Sequence, residues 1–239
     1  MFGSVASSNL IPSRGITAYY DTTLSEYLTL SGSAITQFLD RSGNGNHTGV
    51  QGTVGARPTW TSNQYGSTSA AVFDGVANFL ALPSALYSIP NGNNTLFVVS
   101  KTAAPDTHQR LLDMTKAGSG RYLLEYGSVA AQMIFLSRNA NSGGTSIDGI
   151  TEANANIFTC YRSGTTLSIS VNGGAESTNT NGVSEPGIDG GNIGANGGTP
   201  GLFLNGSIGE IILYNIVLSV QERMQVERYL SYYFGVALV

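Results

Sequence analysis

Short apolar runs recur along the chain, each closed by Gly, Asn, Ser or Pro. Several alternate with polar residues at a period of two. Leu167, Ile169 and Val171 fall on one side of an extended segment, and Thr166, Ser168 and Ser170 fall on the other. That is the signature of a half-buried antiparallel strand. Asn172-Gly173 follows at once, a dipeptide suited to a tight hairpin turn because both positions tolerate positive φ. The same reading predicts strands over 16–20, 34–39, 70–73, 79–82, 95–100, 110–114, 121–126, 132–137, 156–162, 166–171, 188–193 and 206–214. So many short strands with regular turn punctuation predict an all-β, two-sheet antiparallel jelly-roll sandwich. The period changes only near the end. Val226, Leu230 and Tyr233 are spaced i, i+4, i+7, with Tyr229 beside them, which predicts one C-terminal α-helix over about 219–234. Ser219 and Glu222 are placed to form its capping box, and Gly235 to stop it.

Composition narrows the function classes. Of 239 residues, 41% are hydrophobic but only 11% are charged, with net charge −4. Disorder needs low hydrophobicity, usually with high net charge, so a folded core is expected. Eleven Lys and Arg residues are too few to neutralise a run of phosphates, which argues against a nucleic-acid partner. The 31 glycines and the abundant Ser, Thr and Asn fit the turns of a β protein with a neutral outer surface. The length suits one domain over 15–239. Residues 1–14 form a polar arm broken by Pro12, and Met1, Phe2, Val5, Leu10, Ile11 and Pro12 are its candidate docking residues. Cys160 is the sole cysteine and sits in an apolar string, so a buried, inert thiol is expected. No basic segment leads into an apolar stretch at the N-terminus, and no apolar run approaches a membrane span. Neither a signal peptide nor membrane insertion is therefore expected.

Two segments together carry a family resemblance. The first is Ile35-Thr36-Gln37-Phe38-Leu39-Asp40-Arg41-Ser42-Gly43-Asn44-Gly45-Asn46-His47, followed by Ala71-Val72-Phe73-Asp74-Gly75-Val76-Ala77-Asn78-Phe79-Leu80. The second runs from Phe203 through Gly206-Ser207-Ile208-Gly209-Glu210 to Tyr214-Asn215 and on into Leu218-Ser219, Glu222-Arg223 and Glu227-Arg228-Tyr229-Leu230. They resemble the laminin-G-like branch of the concanavalin A-like lectin/glucanase fold, as in modules of bacterial surface proteins and tailed-bacteriophage virion proteins. The resemblance spans about Gly15 to Gly235 and implies a jelly roll of two curved sheets with a closing helix. Phe38 stands where relatives often carry tryptophan, and Ala77-Asn78 where they often carry an acidic pair. The second departure removes carboxylates that would help hold a cation or a sugar.

The candidate chemistry is thin. Retaining glycoside hydrolysis needs two carboxylates ~5–5.5 Å apart, most simply at alternate positions of one strand. Glu210 stands alone on its strand, so no catalytic residue and no enzymatic activity are expected. Asp40, Asn44, Asn46 and Asp74 offer oxygen ligands of the kind calcium takes, with His47 beside them. Calcium loops supply more carboxylates than this, and Asn, Asp and Gly equally suit tight turns. The turn reading is preferred, and no cofactor is expected. His47 and His108 lack a recognisable triad context. For glycan binding, Trp60, Asn63, Gln64 and Tyr65 cluster in one segment read as a loop, with Tyr122, Tyr126 and the 139–141 turn as further candidates.

Two functional readings follow. The resemblance, the missing leader, the Met1 start and the arm suggest a bacteriophage capsid decoration or head-surface protein. It would be made in the host cytoplasm, carried on the virion surface, form a homo-oligomer and bind other virion proteins through its arm. The alternative is a carbohydrate-binding adhesin module of a phage tail, a fibre or a bacterial surface protein, with host-surface polysaccharide as its ligand.

Overall fold

The computed structural model describes residues 11–104, 107–116, 120–127, 131–138, 143–151, 153–180 and 187–239. Short apolar runs become strands wherever one or both faces are buried. In chain order these are β1 (Ile16–Asp21), β2 (Leu28–Ser31), β3 (Ala34–Phe38), β4 (Thr59–Tyr65), β5 (Thr68–Asp74), β6 (Leu80–Ala81), β7 (Asn94–Thr102), β8 (Gln109–Thr115), β9 (Arg121–Tyr126), β10 (Gln132–Arg138), β11 (Gly144–Asp148), β12 (Asn156–Ser163), β13 (Thr166–Val171), β14 (Ser177–Asn179), β15 (Gly190–Ile193) and β16 (Asn205–Tyr214), followed by α1 (Val220–Phe234). A ten-stranded sheet runs β14-β13-β12-β7-β16-β5-β4-β3-β2, with β1 pairing beside β5 along β16. A six-stranded sheet runs β11-β10-β9-β8-β15-β6. The strand pairs are antiparallel, so the expected all-β sandwich with one C-terminal helix is the observed fold.

The main core lies between the sheets. Phe38, Phe73, Leu96, Val98, Leu112, Tyr122, Leu124, Phe135, Phe158, Ile169 and Leu213 are among its members. Cys160 is buried there, and burial pushes its thiol well above the ordinary value. A second apolar layer lies on the other face of the ten-stranded sheet. Tyr19, Tyr65, Ala70, Phe97, Val99, Ile157, Ile212 and Tyr214 meet Val226, Tyr229, Leu230 and Phe234 of α1. This explains why Leu96–Val99 reads as an unbroken apolar run: successive residues enter the two different layers, as in any strand buried on both faces.

Local chemistry fixes the helix. The Ser219 side chain accepts from the Glu222 amide and the Glu222 carboxylate accepts from the Ser219 amide, so the capping box is complete, and Gly235 ends the helix at φ 64°. Gly209 lets the helix close onto the sheet, because a Cβ there would overlap the Phe234 ring. A bulge between Ile208 and Glu210 resets the alternation of β16. Ile208, Ile211 and Leu213 face the main core, while Glu210, Ile212 and Tyr214 face the helix side.

The fold therefore has one sheet face roofed by α1. Among the described residues, no helix lies over the outer face of the six-stranded sheet.

Candidate functional site

That face is built by alternation. Leu112 and Met114 of β8, Tyr122, Leu124 and Tyr126 of β9, and Met133 and Phe135 of β10 point into the main core. Their neighbours Asp113, Thr115, Arg121, Glu125 and Arg138 consequently point outward. Register then sets them side by side. Thr115 pairs with Arg121, Arg121 pairs with Arg138, and Arg110 lies opposite Glu125. Four of the chain's eleven cationic side chains, Arg110, Lys116, Arg121 and Arg138, gather here.

A carboxylate pair anchors the floor. Arg110 pairs with Glu125, and its Nε lies 3.3 Å from Asp113 Oδ2. Arg121 Nη2 also lies 3.3 Å from Asp113 Oδ2, and His108 Nδ1 lies 3.2 Å from Glu125 Oε2. Asp113 is fully buried, and neither of its oxygens has an aligned hydrogen bond. Burial raises the Asp113 pKa above the ordinary carboxylate value, against the pull of Arg121 and Arg110. Burial likewise lowers the Arg110 pKa to about 10; Asp113 opposes the shift, and the charges of Arg121 and Arg138 add to it.

Residues 194–204 form the wall. Gly194 N–H donates to the Leu111 carbonyl, Arg110 N–H donates to the Leu202 carbonyl, and Arg110 Nε donates to Asn196 Oδ1 at 3.1 Å. Gly197 packs flush against β8, where a Cβ would overlap the Asp113 carbonyl. Between wall and strands lies a cleft of about 490 Å³. Lys116, Arg121 and Arg138 line it as cations, and Thr115, Asn196 and Thr199 as neutral polar groups. A larger cavity of about 580 Å³ lies between residues 147–156 and the C-terminal segment. Ile147, Ile150, Val171, Val236 and Ala237 line it together with Thr151, Asn154, Asn156 and Asn172, and Asp148 is its charged side chain.

The sugar-platform residues read from the sequence are placed elsewhere. The segment expected as a loop is strand β4. Trp60 packs against the main core and donates its indole N–H to the Thr22 carbonyl at 2.8 Å. Tyr65 is buried in the helix-side layer, with its ring edge-on to Phe234 at 5.1 Å and its hydroxyl donating to the Ser207 carbonyl. The two rings thus face opposite sides of one sheet and cannot stack on one ligand. Asn63 adopts φ 57° where the β4 register shifts, and the Gln64 carbonyl accepts from Lys101 Nζ at 2.6 Å. Tyr122 and Tyr126 are core residues, hydrogen bonded to Asn94 and Ser100. Residues 139–142 lie outside the described residues.

The oxygen-rich turns hold themselves together. Asp40 accepts from the amides of Tyr19, Ser42 and Asn46, and His47 Nδ1 accepts from Asp40 N–H at 2.8 Å. Asn44 Nδ2 donates to the Ile16 carbonyl, and Asn46 Nδ2 to that of Thr17. Burial works against the Asp74 charge, but the amides of Ala77, Val76 and Asn78 outweigh it and lower its pKa. No group of three or more His, Cys, Asp and Glu side chains suited to a metal occurs among the described residues. Of the candidate docking arm, Met1, Phe2, Val5 and Leu10 lie outside the described residues. Ile11 packs on the helix-side layer, and the Pro12 carbonyl accepts from the Tyr214 hydroxyl at 3.0 Å.

Glu210 is closed off from any substrate. It accepts from the Tyr19 and Tyr229 hydroxyls, each at 2.9 Å, beneath α1. Burial, with Asp21 adding to it, raises its pKa well above the ordinary carboxylate value, against the two phenol hydrogen bonds.

Neither a protein-family model nor a curated protein matches the chain. Solved structures do match. Trypanosoma rangeli sialidase in complex with the inhibitor DANA is similar at TM-score 0.64 and 19% identity, over 91% of this chain and 33% of the sialidase. The receptor-binding domain of botulinum neurotoxin C/D mosaic serotype is similar at TM-score 0.65 and 12% identity, over 95% of this chain and 55% of that one. These likenesses show the fold. The chain is a two-sheet antiparallel β-sandwich. It spans about a third of the sialidase's length, and the activity of that whole enzyme does not transfer with the fold. No described helix is long and apolar enough to cross a membrane.

The sequence reading missed this cleft for a physical reason. Its charged groups come from separate strands and meet only through register: Asp113 and Glu125 come together from β8 and β9 around Arg110. Composition leads to a neutral outer surface, but four of the eleven cations gather on this one face.

Proposed function

We propose that this chain is a carbohydrate-binding module without hydrolytic function, with its ligand in the cleft on the outer face of the six-stranded sheet. One observation carries the reading: the sheet face left free of α1 concentrates cations, amides and hydroxyls around a 490 Å³ cleft. That volume is within the ~300–1,000 Å³ usual for small-ligand pockets. The fold likeness to part of a sialidase and to a toxin receptor-binding domain supports it. The carboxylates nearby favour binding over hydrolysis, because Asp113 and Glu125 are buried against arginines rather than flanking the cleft.

The test is a glycan array probed with the whole chain and with an Arg121→Ala/Arg138→Ala double variant. Each lost charge-assisted hydrogen bond is worth ~1.5–3 kcal/mol, so the double variant loses at least tenfold in binding. A wild-type chain that binds no glycan, or a double variant that binds as well as wild type, defeats the proposal. The virion setting is supported by the sequence resemblance alone. It is tested by whether purified phage particles contain this chain, and at what copy number.

A further inference from the structure

The cross-strand partners Arg121 and Arg138 are an unfavourable pair. Residues directly opposite on neighbouring strands have Cβ atoms ~4.5–5.5 Å apart, and like charges placed so destabilise a sheet. Asp113 offsets one member, at 3.3 Å from Arg121. Among the described residues no carboxylate pairs with Arg138 or with Lys116. The chain holds only eleven cations in all, yet three of them line one cleft, and none of the described residues lining it is acidic. Proteins break a local rule of this kind mainly where function requires it.

We infer that the cleft selects an acidic sugar, gripping its carboxylate between Arg121 and Arg138. The inference rests on the glycan-binding reading and names the ligand class for that same site. A planar two-oxygen anion matches the planar guanidinium fork. The other groups at hand suit a sugar ring: Asn196 and Thr199 on the wall and Thr115 on the floor offer amide and hydroxyl partners for ring hydroxyls. Asp113 acts from below as a positioning residue. Arg110 and Arg121 both converge on its buried Oδ2, which holds the Arg121 guanidinium at the floor of the cleft.

The test is calorimetric titration of the whole chain at low salt. The probes are glucuronic acid, N-acetylneuraminic acid, the methyl ester of each, glucose, N-acetylglucosamine and glucose 6-sulfate. Acidic sugars are expected to bind at least tenfold more tightly than their esters or the neutral sugars. Arg138→Ala is expected to abolish that preference without lowering the melting temperature, because it removes one half of a repulsive pair. Equal binding of acids, esters and neutral sugars overturns the acid inference while the glycan reading stands. Tighter binding of the sulfated sugar overturns the carboxylate assignment. No binding of any of these sugars overturns the glycan reading itself, and the acid inference with it. An Arg138→Ala variant that keeps the acid preference assigns the grip to other residues and overturns the inference.

Discussion

Glu210 shows how one residue can be singled out in the sequence while its structural role stays hidden there. Its isolation on β16 is visible in the sequence, but its surroundings are not, because the bulge beside Gly209 decides which face it takes. It lies under α1 against Tyr19 and Tyr229, whose hydroxyls are 2.6 Å apart, and Arg41 reaches the same cluster through Tyr19 and Asp21. Burial holds its folded pKa well above 4.5. In the window above 4.5 the native state therefore binds more protons than the unfolded chain, and stability falls as pH rises through it. Glu210→Gln keeps an acceptor and does not titrate. The melting temperature of this variant, minus that of wild type, is expected to grow as pH rises from 4 to 8. A constant difference across that range shows that Glu210 ionises in the fold as it does in water.

At the scale of elements, most strands were legible because their apolar periodicity reflects burial. β9 and β13 occupy the ranges read from the sequence, and β7 was legible as an apolar run. The strands that escaped, β2, β4, β11 and β14, are polar or short, and β2, β11 and β14 lie at sheet edges. There, backbone pairing supplied by neighbours outweighs side-chain pattern. β4 misleads most, since its register shifts between Thr61 and Tyr65, and a separation of five residues puts Trp60 and Tyr65 on opposite faces of the strand, in the two different layers. Tyr65 has a structural role in consequence. Tyr65→Ala is expected to lose ~3 kcal/mol in denaturant unfolding, the scale of a buried aromatic truncated to alanine, and to leave glycan affinity unchanged. A selective loss of glycan binding with wild-type stability would restore Tyr65 to a ligand platform.

For the whole molecule, the two outer faces divide the work. On the ten-stranded sheet, α1 covers an apolar layer, and the face owes its burial to that helix. On the six-stranded sheet, the outer face carries the charge cluster and the cleft. The main core separates them, so stability and ligand recognition are expected to respond to different substitutions. Phe234 makes the sharper test because it packs on both Gly209 and Tyr65 across the helix–sheet interface. Phe234→Ala leaves a cavity there and is expected to lose ~3–5 kcal/mol. Below its melting temperature, however, the variant should bind glycan with wild-type affinity, since distant sites without shared partners act additively. Unfolding and calorimetric titration on the same preparation check both halves. If affinity falls in step with stability while the protein is still folded, then the helix and the cleft are coupled through the sandwich, and the cleft is not set by the six-stranded sheet alone.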